Sequence, residues 1–151
     1  MKGRVVGALT LILLFLCVVA QAGMFELPEG NWEEDRGESF SYFEMNIGSP
    51  ESKSFELVFG ERSKDSRMTR LTGVYKVMAN KGDPHFRWTV SEVTVRGKGP
   101  QRAILGSLKV EKGDELSGHL SLDGDSATLT IFDDQSQKVL TRTLVERKSE
   151  S

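Results

Sequence analysis

Residues 70–95 read RLTGVYKV, MANKGDPH, FRWTVSEVTV. Leu71, Gly73, Tyr75 and Val77 share one face of the first run, and Phe86, Trp88 and Val90 share one face of the last. A period of two, carried by β-branched and aromatic residues, is the pattern of a half-buried strand. Between the runs lie Asn80, Gly82, Asp83 and Pro84, residues that turn a chain. The stretch predicts two antiparallel strands joined through a connection over residues 78–85.

The same logic extends in both directions. Upstream, residues 23–30 form a short lead and residues 39–47 (SFSYFEMNI) a strand, with Phe43, Met45 and Ile47 on one face and Phe40 and Tyr42 on the other. Gly48-Ser49-Pro50 breaks it, and residues 53–59 (KSFELVF) place Phe55, Leu57 and Phe59 together. Residues 60–69 are polar and charged and read as an exposed loop. Downstream, residues 96–100 (RGKGP) form a loop, and residues 102–111 (RAILGSLKVE) read as one strand with Ile104, Gly106, Leu108 and Val110 on one face. Residues 115–122 put Leu116, Gly118, Leu120 and Leu122 opposite Ser117, His119 and Ser121. Asp123-Gly124-Asp125 is a tight-turn signal, since Asp-Gly tolerates positive φ. Residues 127–132 hold Leu129 and Ile131 inward, and residues 138–147 form the last strand.

About eight strands at spacings of roughly eight to twelve residues indicate an all-β sandwich or barrel. Short connections favour an antiparallel meander. Closing a meander removes edges that template aggregation, so an up-and-down barrel is favoured over a sandwich. Gly106 and Gly118, on apolar faces, mark a bend or a site crowded by a bulky neighbour such as Trp88 or Tyr75.

The first 22 residues are of another kind. Lys2 and Arg4 precede the sixteen uncharged residues Val5–Ala20, and Ala20-Gln21-Ala22 offers small residues where signal peptidase reads. This is the pattern of a secretory signal peptide over residues 1–22. An uncleaved membrane anchor is the rival, although a span needs about 20 apolar residues. Cys17, the one cysteine, lies inside that run and follows Leu16, which disfavours lipidation. The remaining chain has no thiol and must stand on its core, which about 130 residues suffice to build. Net charge is −2, and −4 once Lys2 and Arg4 are removed, leaving 18 basic against 22 acidic residues. With no basic block, a mixed solvated surface is expected and nucleic acid is not a partner. No Asn-x-Ser/Thr acceptor occurs, which fits a bacterial protein, exported to the periplasm or secreted, that meets the membrane only through its leader.

Gly30-Asn31-Trp32 and Leu71-Thr72-Gly73-Val74-Tyr75-Lys76-Val77 resemble the Gly-x-Trp and Gly-x-Tyr strands of lipocalin-like (calycin) barrels, including short bacterial ones. The resemblance covers most of residues 30–147. It implies a lipocalin-like β-barrel over residues 31–147, a tail at 148–151, and barrel closure by Trp32 under an arginine of the last strand, Arg142 or Arg147. A guanidinium over an indole face contributes about 0.5–2 kcal/mol. The chain lacks the further lipocalin signatures and any disulfide, and is short, so a large ligand cavity is not implied.

Catalytic machinery is not evident. There is no Gly-x-Ser-x-Gly elbow, and His85 and His119 fall on different strands without metal-ligand spacing. Glu33, Glu34 and Asp35, and the aspartates at 123, 125, 133 and 134, form no twelve-residue calcium loop, and turn chemistry explains the latter four. No enzyme activity, catalytic residue, cofactor or metal is expected. Phe43, Phe55, Leu57, Phe59, Tyr75, Trp88, Ile104, Leu108, Leu120 and Leu129 form the candidate inner face. They serve as a packed core or line a cavity. In the second case Tyr75 and Trp88 anchor a small apolar ligand, with Phe43, Phe55, Phe59 and Leu108 around it. The alternative is a filled barrel that binds another envelope or secreted protein through residues 61–69 or 96–100.

Overall fold

The computed structural model describes residues 26–34, 41–61, 67–81 and 83–148. The signal peptide expected over residues 1–22, the start of the lead, Asp35, Phe40 and the last three residues lie outside them. The ten strands are β1 (Gly30–Glu34), β2 (Ser41–Ile47), β3 (Ser54–Glu61), β4 (Met68–Lys81), β5 (Asp83–Arg96), β6 (Ala103–Leu105), β7 (Leu108–Val110), β8 (Glu115–Asp123), β9 (Ser126–Phe132) and β10 (Lys138–Glu146). Among the described residues there is no helix.

Eight of these strands close into an antiparallel barrel in the order β1-β10-β9-β8-β5-β4-β3-β2. The up-and-down barrel expected from periodicity is the fold. Every strand pairs with its neighbour in the chain except where β6 and β7 intervene between β5 and β8. Closure is made by β1 on β10, with Trp32 opposite Glu146 and Glu34 opposite Leu144.

Alternation sets the wall. Met45 pairs with Leu57, and Leu57 with Leu71, so one inward row crosses three strands. Tyr75 pairs with Trp88 and Trp88 with Leu116, giving a second. All of these side chains are buried, as are Phe86, Val90, Leu120, Leu129 and Ile131. Each such burial contributes about 1.5–3 kcal/mol.

The deciding hairpin is longer than its pattern suggested. β4 and β5 pair as far as Lys81 and Asp83, so most of residues 78–85, expected as the connection, belongs to the ladder. Polar residues beyond the barrel's own depth still pair, and a hydrophobic period cannot mark where pairing ends. The ladder shifts register between Thr72 and Gly73 and between Val77 and Ala79. The first shift inserts Ser91, which is why Val90 and then Val93 and Val95, rather than Val90 and Glu92, pack inward.

Residues 102–111 are not one wall strand. They form β6 and β7, a separate two-stranded sheet that turns at Gly106-Ser107, with Gly106 at φ 62°. Leu105 pairs with Leu108 and Ala103 with Val110. The inward set is therefore Ala103, Leu105 and Val110. Ile104, expected inside, is 48 % exposed, while Leu105 is 1 % exposed. A methyl at Gly106 would lie 2.6 Å from the carbonyl oxygen of Val139, so the tip of the hairpin rests on β10. The hairpin thus spans one end of the barrel and adds its apolar side to the common core.

The other end is covered by the lead. Leu27 is buried in that same core, just ahead of β1. Leu122, also expected inward, is 45 % exposed, because β8 runs past the barrel floor into the Asp123-Gly124-Asp125 turn.

Two glycines are set by aromatic rings. Gly118 is covered by Phe86, whose ring atoms occupy the place a methyl would take, so Gly118 answers to a bulky neighbour and Gly106 to a turn. A methyl at Gly73 would run into the Thr89 carbonyl and lie 2.6 Å from Trp88 Nε1.

Candidate functional site

The expected ligand-binding residues divide into three groups. Phe55, on β3, lies 4.9 Å from Trp88 and 5.0 Å from Phe86, centroid to centroid. Tyr75 meets Phe86 edge-on at 6.5 Å. These four rings interlock across the middle of the barrel. Such pairs add about 0.5–1.5 kcal/mol each beyond their buried area. Phe43 and Phe59 form a second group, stacked at 5.9 Å near the end where β3 gives way to β4. Leu108 stands apart. It is half-buried on β7 and packs on the core from the covering hairpin, not from the barrel wall.

Two interior polar atoms have no partner. Tyr75 Oη and Trp88 Nε1 are both buried without a hydrogen bond. Burial raises the Tyr75 pKa above its ordinary value of 10.0; the nearby Leu27 backbone opposes this, and Glu26 adds to it.

The closure pair differs from expectation. Trp32 is buried on β1, but among the described residues no guanidinium lies on it. Arg142 sits over Phe43, 5.8 Å from the ring centroid, with Nε 3.6 Å from Glu34 Oε1. Register explains this. Trp32 faces Glu146, and Arg142 lies four residues further up β10, about 13 Å away at 3.3 Å per residue. Arg147 points to the other side of the wall, with Nη2 3.7 Å from Glu33 Oε2. Gly30 covers the indole instead: a methyl there would lie 2.8 Å from Trp32 Cη2. Glu33 and Glu34 therefore occupy opposite faces of one strand, each beside an arginine, rather than forming an acidic cluster.

At the end covered by the hairpin, the described residues of the two loops singled out from sequence meet. Phe59, Gly60 and Glu61 at the end of β3, Arg67 and Thr69 at the start of β4, Lys98, Gly99 and Pro100 after β5, and Ile104 on β6 line one groove of about 350 Å³. Its base is tied by backbone: Glu61 N donates to Arg67 O at 3.3 Å. Gly60 permits this approach, since a methyl there would collide with that carbonyl. Gln101 Nε2 donates to Gly97 O at 3.2 Å and braces the opposite loop. The groove mixes an apolar side, Phe59, Pro100 and Ile104, with charges at Glu61, Arg67 and Lys98. Arg67 is half-buried, and its Nε and Nη2 are shielded from water and meet no acceptor. Sequence reasoning named the loops but not Arg67, because burial of a loop arginine leaves no periodic signal.

Elsewhere on the outer wall, His85 and His119 pair across β5 and β8 and stack at 4.4 Å with 24° between rings. They are adjacent in space although distant in sequence. A polar row on β2–β4 is held by Asn46 Nδ2 donating to Glu56 Oε1 at 2.8 Å, with Arg70 Nε 3.5 Å from Glu56 Oε2. Among the described residues no three His, Cys, Asp or Glu side chains are placed to hold a metal ion.

Comparison of the chain with protein-family models, with curated proteins and with solved structures finds no match.

Proposed function

We propose that this chain is an exported, lipocalin-like barrel that acts as a protein-interaction module through the loop groove at its hairpin-covered end. One observation carries the reading. Phe59, Glu61, Arg67 and Thr69 converge with Lys98, Pro100 and Ile104 on a single groove, while the barrel interior is taken up by interlocked rings. A groove of mixed apolar and charged character at the rim of a rigid scaffold is where binding residues are commonly placed. The module uses no catalytic residue, cofactor or metal. Export to the periplasm or beyond rests on the leader pattern of residues 1–22, and the lipocalin-like relationship on the Gly-x-Trp and Gly-x-Tyr strands together with the closed eight-strand barrel.

Replacement of residues 61–69 and, separately, 96–100 by Gly-Ser tests the reading in pull-downs from the exported fraction. Loss of partner recovery in either variant is the expected result. Unchanged recovery in both rejects it. Intact mass of the exported protein tests the leader: a chain still starting at Met1 rejects cleavage.

A second reading, a small apolar ligand inside the barrel, draws support from Tyr75 Oη and Trp88 Nε1, two interior donors without partners. Native mass spectrometry of the exported protein decides between them, since retention of a ligand by the purified chain favours the interior site.

A further inference from the structure

We propose that the loop groove binds the C-terminal carboxylate of a partner polypeptide that ends in an apolar residue, with Arg67 as its anchor. The proposal rests on the reading of the barrel as an interaction module and names the chemistry its groove takes.

The guanidinium of Arg67 is the starting point. It is permanently charged and carries five donors in a planar fork. Nε and Nη2, the two nitrogens without an acceptor, form one edge of that fork. This edge presents two parallel N–H groups, the arrangement that takes both oxygens of one carboxylate. Four other arginines face acids: Arg70 faces Glu56, Arg87 faces Glu115, Arg142 faces Glu34 and Arg147 faces Glu33. Arg67 lines its groove with Nε and Nη2 buried and unpaired. That edge is shielded from water in the free chain, and taking up a carboxylate would turn the half-buried side chain so that the edge meets the ligand.

The surroundings select which carboxylate. Phe59, Pro100 and Ile104 supply an apolar wall beside the guanidinium. Exposure of Ile104 has no structural purpose in the core, from which it points away. Glu61 sits on the same rim. Its charge disfavours a segment with acids along its length but leaves room for a single terminal carboxylate next to an apolar side chain. The volume, about 350 Å³, lies at the low end of ligand pockets and suits the end of a chain rather than an extended segment. Capture of a terminal carboxylate is an established mode of peptide recognition.

The test titrates the peptides Gly-Ser-Gly-Ser-Leu and Gly-Ser-Gly-Ser-Phe, each as free acid and as amide, into the isotopically labelled full chain. Affinity is read by calorimetry and the Arg67 Nε–H signal by NMR. The expected result is saturable binding of the free acids, about tenfold or more weaker binding of the amides, and a shift of the Arg67 signal with the acids only. Arg67→Gln is expected to erase the difference between acid and amide, and Arg67→Lys to keep only part of it. Ile104→Ser is expected to weaken both acids while the Arg67 shift persists at saturation. Near-UV circular dichroism and melting temperature of each variant establish that it folds. No binding of either acid, equal binding of acid and amide, equal binding of an amidated peptide with an internal Asp, or unchanged acid binding by a folded Arg67→Gln variant overturns the proposal. If Gly-Ser loops abolish partner capture and Arg67→Gln does not, the interaction module stands and the carboxylate anchor falls. If Gly-Ser loops leave capture intact, the module itself falls.

Discussion

Single residues in this wall are set by what leans on them. Gly118 lies under the Phe86 ring and Gly73 under Trp88 Nε1 and the Thr89 carbonyl. Gly118→Ala and Gly73→Ala are each expected to cost about 1–3 kcal/mol by overpacking, read from denaturant midpoints at constant slope. A change below 0.5 kcal/mol at Gly118 would mean that the Phe86 ring has room to move. Tyr75 makes a sharper case. Its hydroxyl is buried and unpaired, so Tyr75→Phe is expected to leave stability at pH 7 unchanged or to raise it by about 1 kcal/mol. The pH dependence has a definite sign. Burial holds the folded phenol above its ordinary value of 10.0, so the unfolded chain releases its proton first. Stability is fully present below pH 10.0 and is lost as pH rises through the folded value. Denaturant melts above pH 10.0 are expected to show a shallower alkaline loss in Tyr75→Phe than in the parent chain. A loss of about 2 kcal/mol or more at pH 7 would instead reveal a hydroxyl with a strong partner.

At the scale of elements, the hairpin over residues 103–110 separates the two frames of one segment. Read as a single strand, RAILGSLKVE puts Ile104, Leu108 and Val110 on one side. The two-residue turn at Gly106-Ser107 resets the alternation, so that Ala103 and Leu105 join Leu108 and Val110. Leu105→Ala is expected to cost about 2–5 kcal/mol and Ile104→Ala less than about 0.5 kcal/mol in the same denaturation assay. The reverse order would restore the single-strand frame and place Ile104 in the core. The turn was invisible because a Gly-Ser pair inside an alternating run fits either a kinked strand or a tight reversal. Only the partner strand decides, and β6 found β7 rather than β5. Ser91 on β5 acted the same way at smaller scale, moving the inward set by one residue.

For the whole molecule, closure buries both tryptophans, one under each half of the wall. Trp32 and Trp88 are expected to be blue-shifted and several-fold less quenched by acrylamide in the folded chain than in denaturant. Native quenching close to the unfolded value would contradict the covering of the barrel by Leu27 at one end and the β6–β7 hairpin at the other. The arginines along the seam have little share in this stability. Arg142 and Glu34 are 40 % and 36 % exposed in their side chains, and such pairs are worth about 0–1 kcal/mol. The sequence by itself determined an all-β antiparallel meander that closes, seven of the eight wall strands, most of the inward set and the two connections that border the groove. Each follows from local periodicity and turn chemistry, which act over a few residues. Only the tertiary structure decided that Arg142 lies on Phe43 rather than Trp32, that Ile104 lines the groove, and that Arg67 lines it with Nε and Nη2 buried and unpaired. Those facts depend on register across strands and on which loops share an end, and both arise when the sheet closes.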